Sequence, residues 1–243
     1  MRYSMKLRWL FLAVPLMVVG CGLPLSPVQV RVFSPGIHVD LMHTPDVSGV
    51  FQITWEIAIQ NMPPASGSAT VIGRDPAGWT YLVTANHCID PLPLKGLSNP
   101  VTIRVCGTKA EVWKRLPERD LALVRVRGNP AVSAGKVYGM AEVEVGEVVW
   151  CAARVPTPEV DRLPVPVLTY AHRGYVTMKE SNYICHNAGA RSGFSGGPVL
   201  DRDSCVVGIV LCIPYDARGI FCYAVRSKHV RQLLGAIPQR IVP

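Results

Sequence analysis

From about residue 50 onward, apolar residues fall in short β-rich runs that are separated by turns. The clearest runs are FQITWEIAIQ, WTYLVTANHC, DLALVRVRG, CVVGIVLCI and GIFCYAV. Such runs at regular spacing are typical of β-barrels and β-sandwiches. Because the runs do not alternate with helical segments, a parallel α/β sheet is disfavoured. The composition agrees, since 21 glycines, 21 prolines and only 17% charged residues suit an all-β protein.

The pattern predicts one helix, close to the C-terminus. Ser227 is placed to act as the N-cap of the segment KHVRQLLG. Val230, Leu233 and Leu234 fall on one face of that segment, which is the spacing of an amphipathic helix.

The N-terminus has the features of an export signal. A basic start, MRYSMKLR, is followed by the apolar run WLFLAVPLMVVG, whose 12 residues fit a secretory signal and are few for a membrane span. The run ends in Val-Val-Gly-Cys21, which resembles the bacterial lipobox. We therefore expect residues 1–21 to be a lipoprotein signal, Cys21 to be lipidated, and the exported protein to be membrane-anchored in the cell envelope. The alternative is a plain signal peptide or an uncleaved anchor with an incidental cysteine.

The segment 22–49 contains four prolines and little periodicity. We interpret it as a tether between the membrane and the folded body.

The net charge does not indicate a nucleic-acid partner. The formal charge is +8 at pH 7, but three of the basic residues lie in residues 1–21. The 22 basic and 17 acidic residues that remain give +5, and no basic run follows. A mildly basic surface is the simpler interpretation.

The eight cysteines are compatible with disulfides in an exported protein. If Cys21 is lipidated, seven remain, so at least one has no intramolecular partner. The spacing leaves the pairing open. No CxxC or CxxH pair with zinc-ligand spacing occurs, so we expect no metal site and no cofactor.

Three segments together indicate acyl-transfer chemistry: TANHC with His87, ERDLAL with Asp120, and GFSGGP with Ser195. A serine hydroxyl is a poor nucleophile until a base takes its proton, and a neutral imidazole suits that task near pH 7. A carboxylate then orients the imidazole and stabilises the imidazolium that forms. The glycines beside Ser195 allow the N–H groups of Gly193 and Ser195 to point at one developing oxyanion.

These motifs resemble the chymotrypsin-like (trypsin-like) serine proteases. They occur in the order His, Asp, Ser within roughly residues 50–235. The separation of 33 residues between His87 and Asp120 and the Gly-Ser-Ala at 67–69 are more similar to the compact bacterial Deg/HtrA branch. We expect no PDZ module to follow, since the sequence ends at Pro243.

The resemblance implies two six-stranded antiparallel β-barrels with the active site between them, a short C-terminal helix, and polypeptide substrates. The first barrel would span 50–135 and hold His87 and Asp120, and the second would span 136–243 and hold Ser195. By position, two residues would lie at the base of the primary specificity pocket and three on its strand side, where a substrate could add as a β-strand. These are Gly189 and Ala190 at the base, and Leu211, Cys212 and Ile213 on the strand side.

Three positions depart from well-known members of the family. Phe194 replaces the acid that a new N-terminus would pair with in zymogen-activated members. Gly189 is not acidic, and Val210 stands where Glu-selective relatives have a histidine. The last two features argue against basic and acidic substrate residues, and the bulk of Leu211 and Ile213 suggests a narrowed, apolar pocket. We therefore expect a small or medium apolar residue, such as Ala, Val or Leu, before the scissile bond.

Two other functions are compatible with part of the sequence. Gly-Phe-Ser-Gly-Gly also matches the nucleophile elbow of α/β-hydrolases, with His229 as the only available later histidine, but a helix should then follow Ser195. The other is a catalytically inactive binding module with a protease fold.

The sequence offers other acidic and histidine residues as candidate parts of the site. Asp90 is a weaker alternative to Asp120, and His172 and His186 are interpreted as surface or structural residues.

Overall fold

The structure is a computed structural model that describes residues 44–57, 65–90, 101–156, 167–214 and 221–238. The signal, Cys21 and most of the tether therefore lie outside the described residues. Within these ranges there are thirteen strands and two α-helices. The strands are β1 (Val50–Ile57), β2 (Ala65–Arg74), β3 (Trp79–Ala85), β4 (Val101–Val105), β5 (Thr108–Lys109), β6 (Glu111–Leu116), β7 (Leu121–Arg127), β8 (Val148–Pro156), β9 (Val167–Lys179), β10 (Tyr183–His186), β11 (Pro198–Leu200), β12 (Val206–Pro214) and β13 (Cys222–Arg226).

The first seven strands form one sheet in the order β5-β4-β1-β2-β3-β7-β6. Its two edges, β5 and β6, follow each other in the chain with only Ala110 between them, so the sheet is rolled on itself. β3 and β7 lie side by side in antiparallel register from Trp79↔Arg127 to Ala85↔Leu121. The sheet has seven strands rather than the expected six because the short hairpin after β4 adds β5.

The last six strands form a closed barrel in the order β10-β13-β12-β11-β8-β9. Alternate residues of β8, namely Val149, Cys151 and Ala153, face its apolar interior. This barrel and the rolled first sheet confirm the prediction of a chymotrypsin-like all-β fold with two antiparallel barrels.

The two barrels share a core. One apolar cluster contains residues of the first barrel, such as Leu82 and Leu123, together with Ile209 and Leu211 of β12. Because this cluster crosses between the barrels, burying it also sets how the two barrels dock.

The C-terminal helix is α2 (Ser227–Leu234), and the other helix is the short α1 (Pro130–Ala134). Val230 and Leu233 are buried as the periodicity predicted. Ser227 is not the N-cap, however. The cap is Arg226, and the Ser227 hydroxyl donates to the Ala141 carbonyl oxygen instead. That partner lies far along the chain, so no local sequence signal indicates it.

Cysteine pairing differs from the expectation of disulfides. Cys88, Cys106, Cys185 and Cys205 are free thiols in the structure.

Within the described ranges, neither helix has the length and apolarity needed to span a membrane.

Candidate active site

β3 brings His87 to the surface where the two barrels meet. The strand is buried along almost its whole length and continues directly into a 3-10 turn, Asn86–Cys88. The backbone N–H of Asn86 donates to the carbonyl oxygen of Asp120 at 2.8 Å. The turn is therefore tied to the start of the neighbouring strand, β7.

Asp120 lies at the residue before β7, and the Ala85↔Leu121 pairing places it beside His87. Its backbone is left-handed, with φ of 50°, and it ends the 3-10 turn Pro117–Arg119. Aspartate tolerates this conformation better than most residues, although it is still strained. The backbone cost is offset by two hydrogen bonds to the carboxylate.

Those two bonds join Asp120 to His87. One carboxylate oxygen accepts from the His87 backbone N–H at 2.8 Å, and the other lies 2.6 Å from His87 Nδ1. The side chains are 40% and 31% exposed, so the pair opens onto solvent rather than being fully buried. The hydrogen bond with Asp120 raises the pKa of His87 above its usual value. Because the raised pKa belongs to the folded state, the pair stabilises that state below about pH 6.5 and ceases to do so as the pH rises through the raised pKa.

Ser195 lies on the second barrel, in the loop between β10 and β11. The residue is only 8% exposed. Its hydroxyl donates to the carbonyl oxygen of Leu211 at 3.2 Å. Since a hydroxyl has one proton, this proton is directed at β12 and not at His87 in the structure.

The glycines beside Ser195 have conformations that other residues rarely adopt. Gly193 and Gly196 have φ of +90° and +83°. A Cβ on Gly196 would lie 2.1 Å from the Ser68 carbonyl oxygen and 2.3 Å from Thr84 Oγ1. Glycine is therefore required both for the turn and for the close approach of the loop to the first barrel.

Two residues of β2, Ser68 and Thr70, hold this loop by hydrogen bonds from a backbone N–H and from both hydroxyl groups. Ser68 N–H donates to the Ser195 carbonyl oxygen at 2.8 Å, and Ser68 Oγ donates to the Gly193 carbonyl oxygen at 2.8 Å. Thr70 Oγ1 donates to the Gly196 carbonyl oxygen at 3.1 Å. The sequence pattern does not predict these contacts, because the hydroxyls of Ser68 and Thr70 lie 125 and 126 residues from their partners along the chain. Gly-Ser-Ala at 67–69 is a local signal for the family resemblance but not for the bonds.

The structure also locates most of the residues expected at the specificity pocket. Gly189 and Ala190 are partly exposed on the loop that leads to Ser195. Leu211 is buried in the cluster shared by the barrels, so its side chain contributes to the core, and its carbonyl oxygen contacts Ser195. Cys212 and Ile213 belong to β12, but their side chains lie outside the described residues.

Phe194, the residue that replaces the acid of zymogen-activated relatives, packs in the core of the second barrel. It is fully buried, and its ring lies 5.2 Å from His172 and 6.2 Å from Tyr170. The Arg191 guanidinium lies 4.4 Å from the centre of the Tyr170 ring. At this position of the loop, the Phe194 ring therefore makes aromatic contacts instead of the ion pair that an acid would make with a new N-terminus.

Two histidines outside the pair have distinct environments. Burial lowers the pKa of His172, which also forms a hydrogen bond with the Gly189 backbone. His186 is fully buried in the second barrel, and both of its ring nitrogens lack a hydrogen-bond partner among the described residues. Burial lowers the pKa of His186 as well. The sequence pattern left open whether these two histidines are surface or structural residues, and the structure buries His186 fully and His172 in part.

The alternative acids and bases are engaged elsewhere. Asp90 forms an ion pair with Arg115 at 3.0 Å. His229, on α2, has its Nε2 3.1 Å from Asn182 Oδ1, which lies between β9 and β10. Ser195 is followed by β11 rather than by a helix, and the sheets are antiparallel, so the fold is not that of an α/β-hydrolase.

The described residues contain no group of three or more His, Cys, Asp or Glu side chains arranged to hold a metal ion.

Comparison with known proteins relates the sequence and the fold of this chain to a known family. Residues 67–209 match the trypsin-like peptidase domain. Similar solved structures include the serine endoprotease from Yersinia pestis, with a TM-score of 0.57 and 15% identity over 79% of this chain and 63% of the other. Another is the HtrA-type protease AlgW with tripeptide, with a TM-score of 0.56 and 18% identity over 78% of this chain and 60% of the other.

The chain thus spans about six-tenths of the length of these two structural relatives. No curated protein matches the sequence.

The contact between His87 and Asp120 predicts a pKa that NMR titration can measure. In the unmodified protein, the His87 ring should titrate above the ordinary value of about 6.5. In Asp120→Asn the pKa should fall toward that value, because the carboxylate that favours the imidazolium is gone. His172 serves as the internal control, since burial governs its pKa and it should titrate below 6.5 in both proteins. An unchanged His87 pKa in Asp120→Asn would contradict the assignment.

Proposed function

Because the chain belongs to the trypsin-like peptidase domain family, we propose that it is a serine endopeptidase with Ser195 as nucleophile, His87 as general base and Asp120 as the residue that orients the base. One observation carries the proposal. His87 Nδ1 pairs with Asp120 Oδ2 at 2.6 Å on the barrel to which the Ser195 loop is hydrogen-bonded.

The reaction begins with a rotation of the Ser195 side chain. Its hydroxyl leaves the Leu211 carbonyl oxygen and turns toward His87 Nε2, the ring nitrogen that Asp120 leaves available. Ser195 Oγ then attacks the carbonyl carbon of the scissile bond while its proton passes to His87. Asp120 stabilises the imidazolium that forms.

The carbonyl oxygen of the substrate becomes an oxyanion in this step. The backbone N–H groups of Gly193 and Ser195 are the proposed donors. Removing one such donor typically costs about 3–4 kcal/mol in the barrier.

Two further steps complete the cycle. The tetrahedral intermediate collapses, the imidazolium gives its proton to the departing amine, and the acyl group remains on Ser195 as an ester. Water then attacks the ester with His87 again as base, which releases the acid product and restores the hydroxyl of Ser195.

The end of β12 supports strand-like binding of a polypeptide. β11 pairs with β12 only up to Ile209, and Val210 exchanges hydrogen bonds with Gly196 and Gly197 of the nucleophile loop. Beyond Val210, the strand continues to Pro214 past the end of β11. Leu211 to Ile213 thus offer backbone groups to which an extended substrate can add as a further strand.

The residues around the proposed pocket support an apolar residue before the scissile bond. Gly189 and Ala190 offer no charge at its base, and Val210 is fully buried in the core of the second barrel. Arg191 is exposed, and its guanidinium lies over the Tyr170 ring. A charged substrate side chain would be desolvated without a counter-charge, which is unfavourable.

The proposal also includes attachment to the membrane of an exported protein. The basic start, the apolar run and Val-Val-Gly-Cys21 support cleavage before Cys21 and lipidation of its thiol. One acyl chain anchors only weakly, so the mature terminus should carry more than one.

The triad is tested by substitution in the soluble fragment from about residue 45. Ser195→Ala, His87→Ala and Asp120→Asn should each lower kcat for peptide hydrolysis by roughly 10⁴–10⁶-fold, and the losses should not add because the residues act as a unit. All three variants should remain folded at the assay temperature, although His87→Ala and Asp120→Asn lose the stabilising contact between the two side chains. Asp90→Asn is the matched control and should retain activity, since its carboxylate pairs with Arg115. Near-normal cleavage by Ser195→Ala would reject the proposal.

The pocket is tested by a peptide-library cleavage profile. Ala, Val or Leu should dominate before the scissile bond, and discrimination among them should be modest, about 1–3 kcal/mol for each misfit methylene. Gly189→Asp should shift the profile toward Arg and Lys, because it places a carboxylate at the proposed base. Aspartate is among the residues that best tolerate the left-handed backbone of this position, with φ of 69°. A profile of the unmodified protein dominated by Arg, Lys, Glu or Asp would contradict the assigned pocket.

The anchor is tested by mass spectrometry of the mature N-terminus in cells that express the full chain. The first residue should be Cys21 with a multiply acylated mass, and the protein should sediment with membranes. Cys21→Ser should abolish both results. Cleavage after residue 21, with the cysteine lost, would reject this part of the proposal.

A further inference from the structure

A single buried hydroxyl connects the first barrel to the residue that would bind the oxyanion. Ser68 lies on β2 and is fully buried. Its Oγ donates to the Gly193 carbonyl oxygen at 2.8 Å and accepts from the Arg154 backbone N–H at 3.0 Å. Because the hydroxyl both donates and accepts, the direction of its proton is fixed.

These bonds determine the orientation of one peptide group. The Gly193 carbonyl and the Phe194 N–H belong to the same planar unit. Ser68 holds the carbonyl, and the Phe194 N–H donates to the Arg191 carbonyl oxygen at 3.0 Å on the other side. The plane is therefore held at both ends.

Gly193 needs such a restraint because glycine can adopt several backbone conformations at similar cost. Here it has φ of +90°, and its Cα faces Val155, whose Cγ1 would lie 2.8 Å from an added Cβ. A side chain therefore cannot restrain this position, and hydrogen bonds to its backbone must do so.

We propose that Ser68 is a positioning residue for the oxyanion hole. It holds the peptide that follows Gly193, and the turn at Gly193, with φ of +90°, then directs the N–H of the preceding peptide at the developing oxyanion. This inference rests on the proposed function. The Ser68 side chain acts through Gly193, and its own hydrogen bonds are to backbone groups rather than to the side chains of His87, Asp120 or Ser195.

The role predicts that Ser68 contributes more to the transition state than to substrate binding. In Ser68→Ala, kcat should fall by about 10²-fold, in the range seen for loss of an oxyanion donor, while KM stays within about threefold. The affinity for a peptidyl boronate, which forms a tetrahedral anion on serine, should fall in parallel. The affinity for the unreactive product peptide should stay within about threefold, because it makes no oxyanion.

Tyr138→Phe is the matched control for the loss of a buried hydroxyl. Tyr138 is fully buried, and its hydroxyl likewise donates to one backbone carbonyl, that of Asp46 at 2.9 Å, and accepts from one backbone N–H, that of Gly49 at 3.2 Å. It should lower thermal stability to a similar degree as Ser68→Ala, with kcat and boronate affinity retained.

The results distinguish a failure of the role of Ser68 from a failure of the proposed peptidase function. If the unmodified protein hydrolyses peptides and Ser68→Ala retains kcat and boronate affinity, the role of Ser68 is wrong while the proposed function stands. The role is also wrong if boronate and product peptide lose affinity equally, or if Tyr138→Phe loses kcat as Ser68→Ala does. If Ser68→Ala does not fold, Ser68→Cys keeps a weak donor and should show an intermediate loss of kcat with KM retained. A protein that hydrolyses no peptide in its unmodified form contradicts the proposed function itself.

Discussion

The hydrogen bonding between β2 and the nucleophile loop is the interaction on which the candidate site depends. His87 and Asp120 come from the first barrel and Ser195 from the second, so the site exists only if the barrels dock in one arrangement. Ser68 N–H donates to the Ser195 carbonyl oxygen at 2.8 Å, and the Cys88 thiol donates to the same oxygen at 3.6 Å. Ser68 and Cys88, the residue after His87, thus connect the first barrel directly to the backbone of Ser195.

This docking combines directional and non-directional forces. The apolar cluster shared by the barrels supplies the area that leaves water, which favours association without specifying an angle. The hydroxyls of Ser68 and Thr70 specify the angle, because buried carbonyl groups are costly unless they have donors. Gly196 permits the approach, since any side chain there would collide with Ser68 and Thr84.

The local pattern of apolar residues predicted the strands and the buried face of the final helix, because neighbouring residues determine these features. The β-rich runs became strands, and Val230 and Leu233 lie on the buried face of the final helix. The motif around His87 and Asp120 predicted neighbouring side chains, and the pairing of β3 with β7 brings them together. Features that depend on distant partners were missed. Ser227 bonds to Ala141 instead of capping its helix, Leu211 packs into the shared core, and Ser68 bonds across the barrels.

The central claim is that this docking makes Ser195 a nucleophile activated by His87. Labelling the folded soluble fragment with a fluorophosphonate tests it most directly, because the probe loses fluoride only to an activated serine. Peptide mapping should locate one adduct, on Ser195, and His87→Ala should greatly slow its formation. A folded protein that forms no adduct, or forms it at another residue, would contradict the account, and the first of these results would favour an inactive binding module with a protease fold.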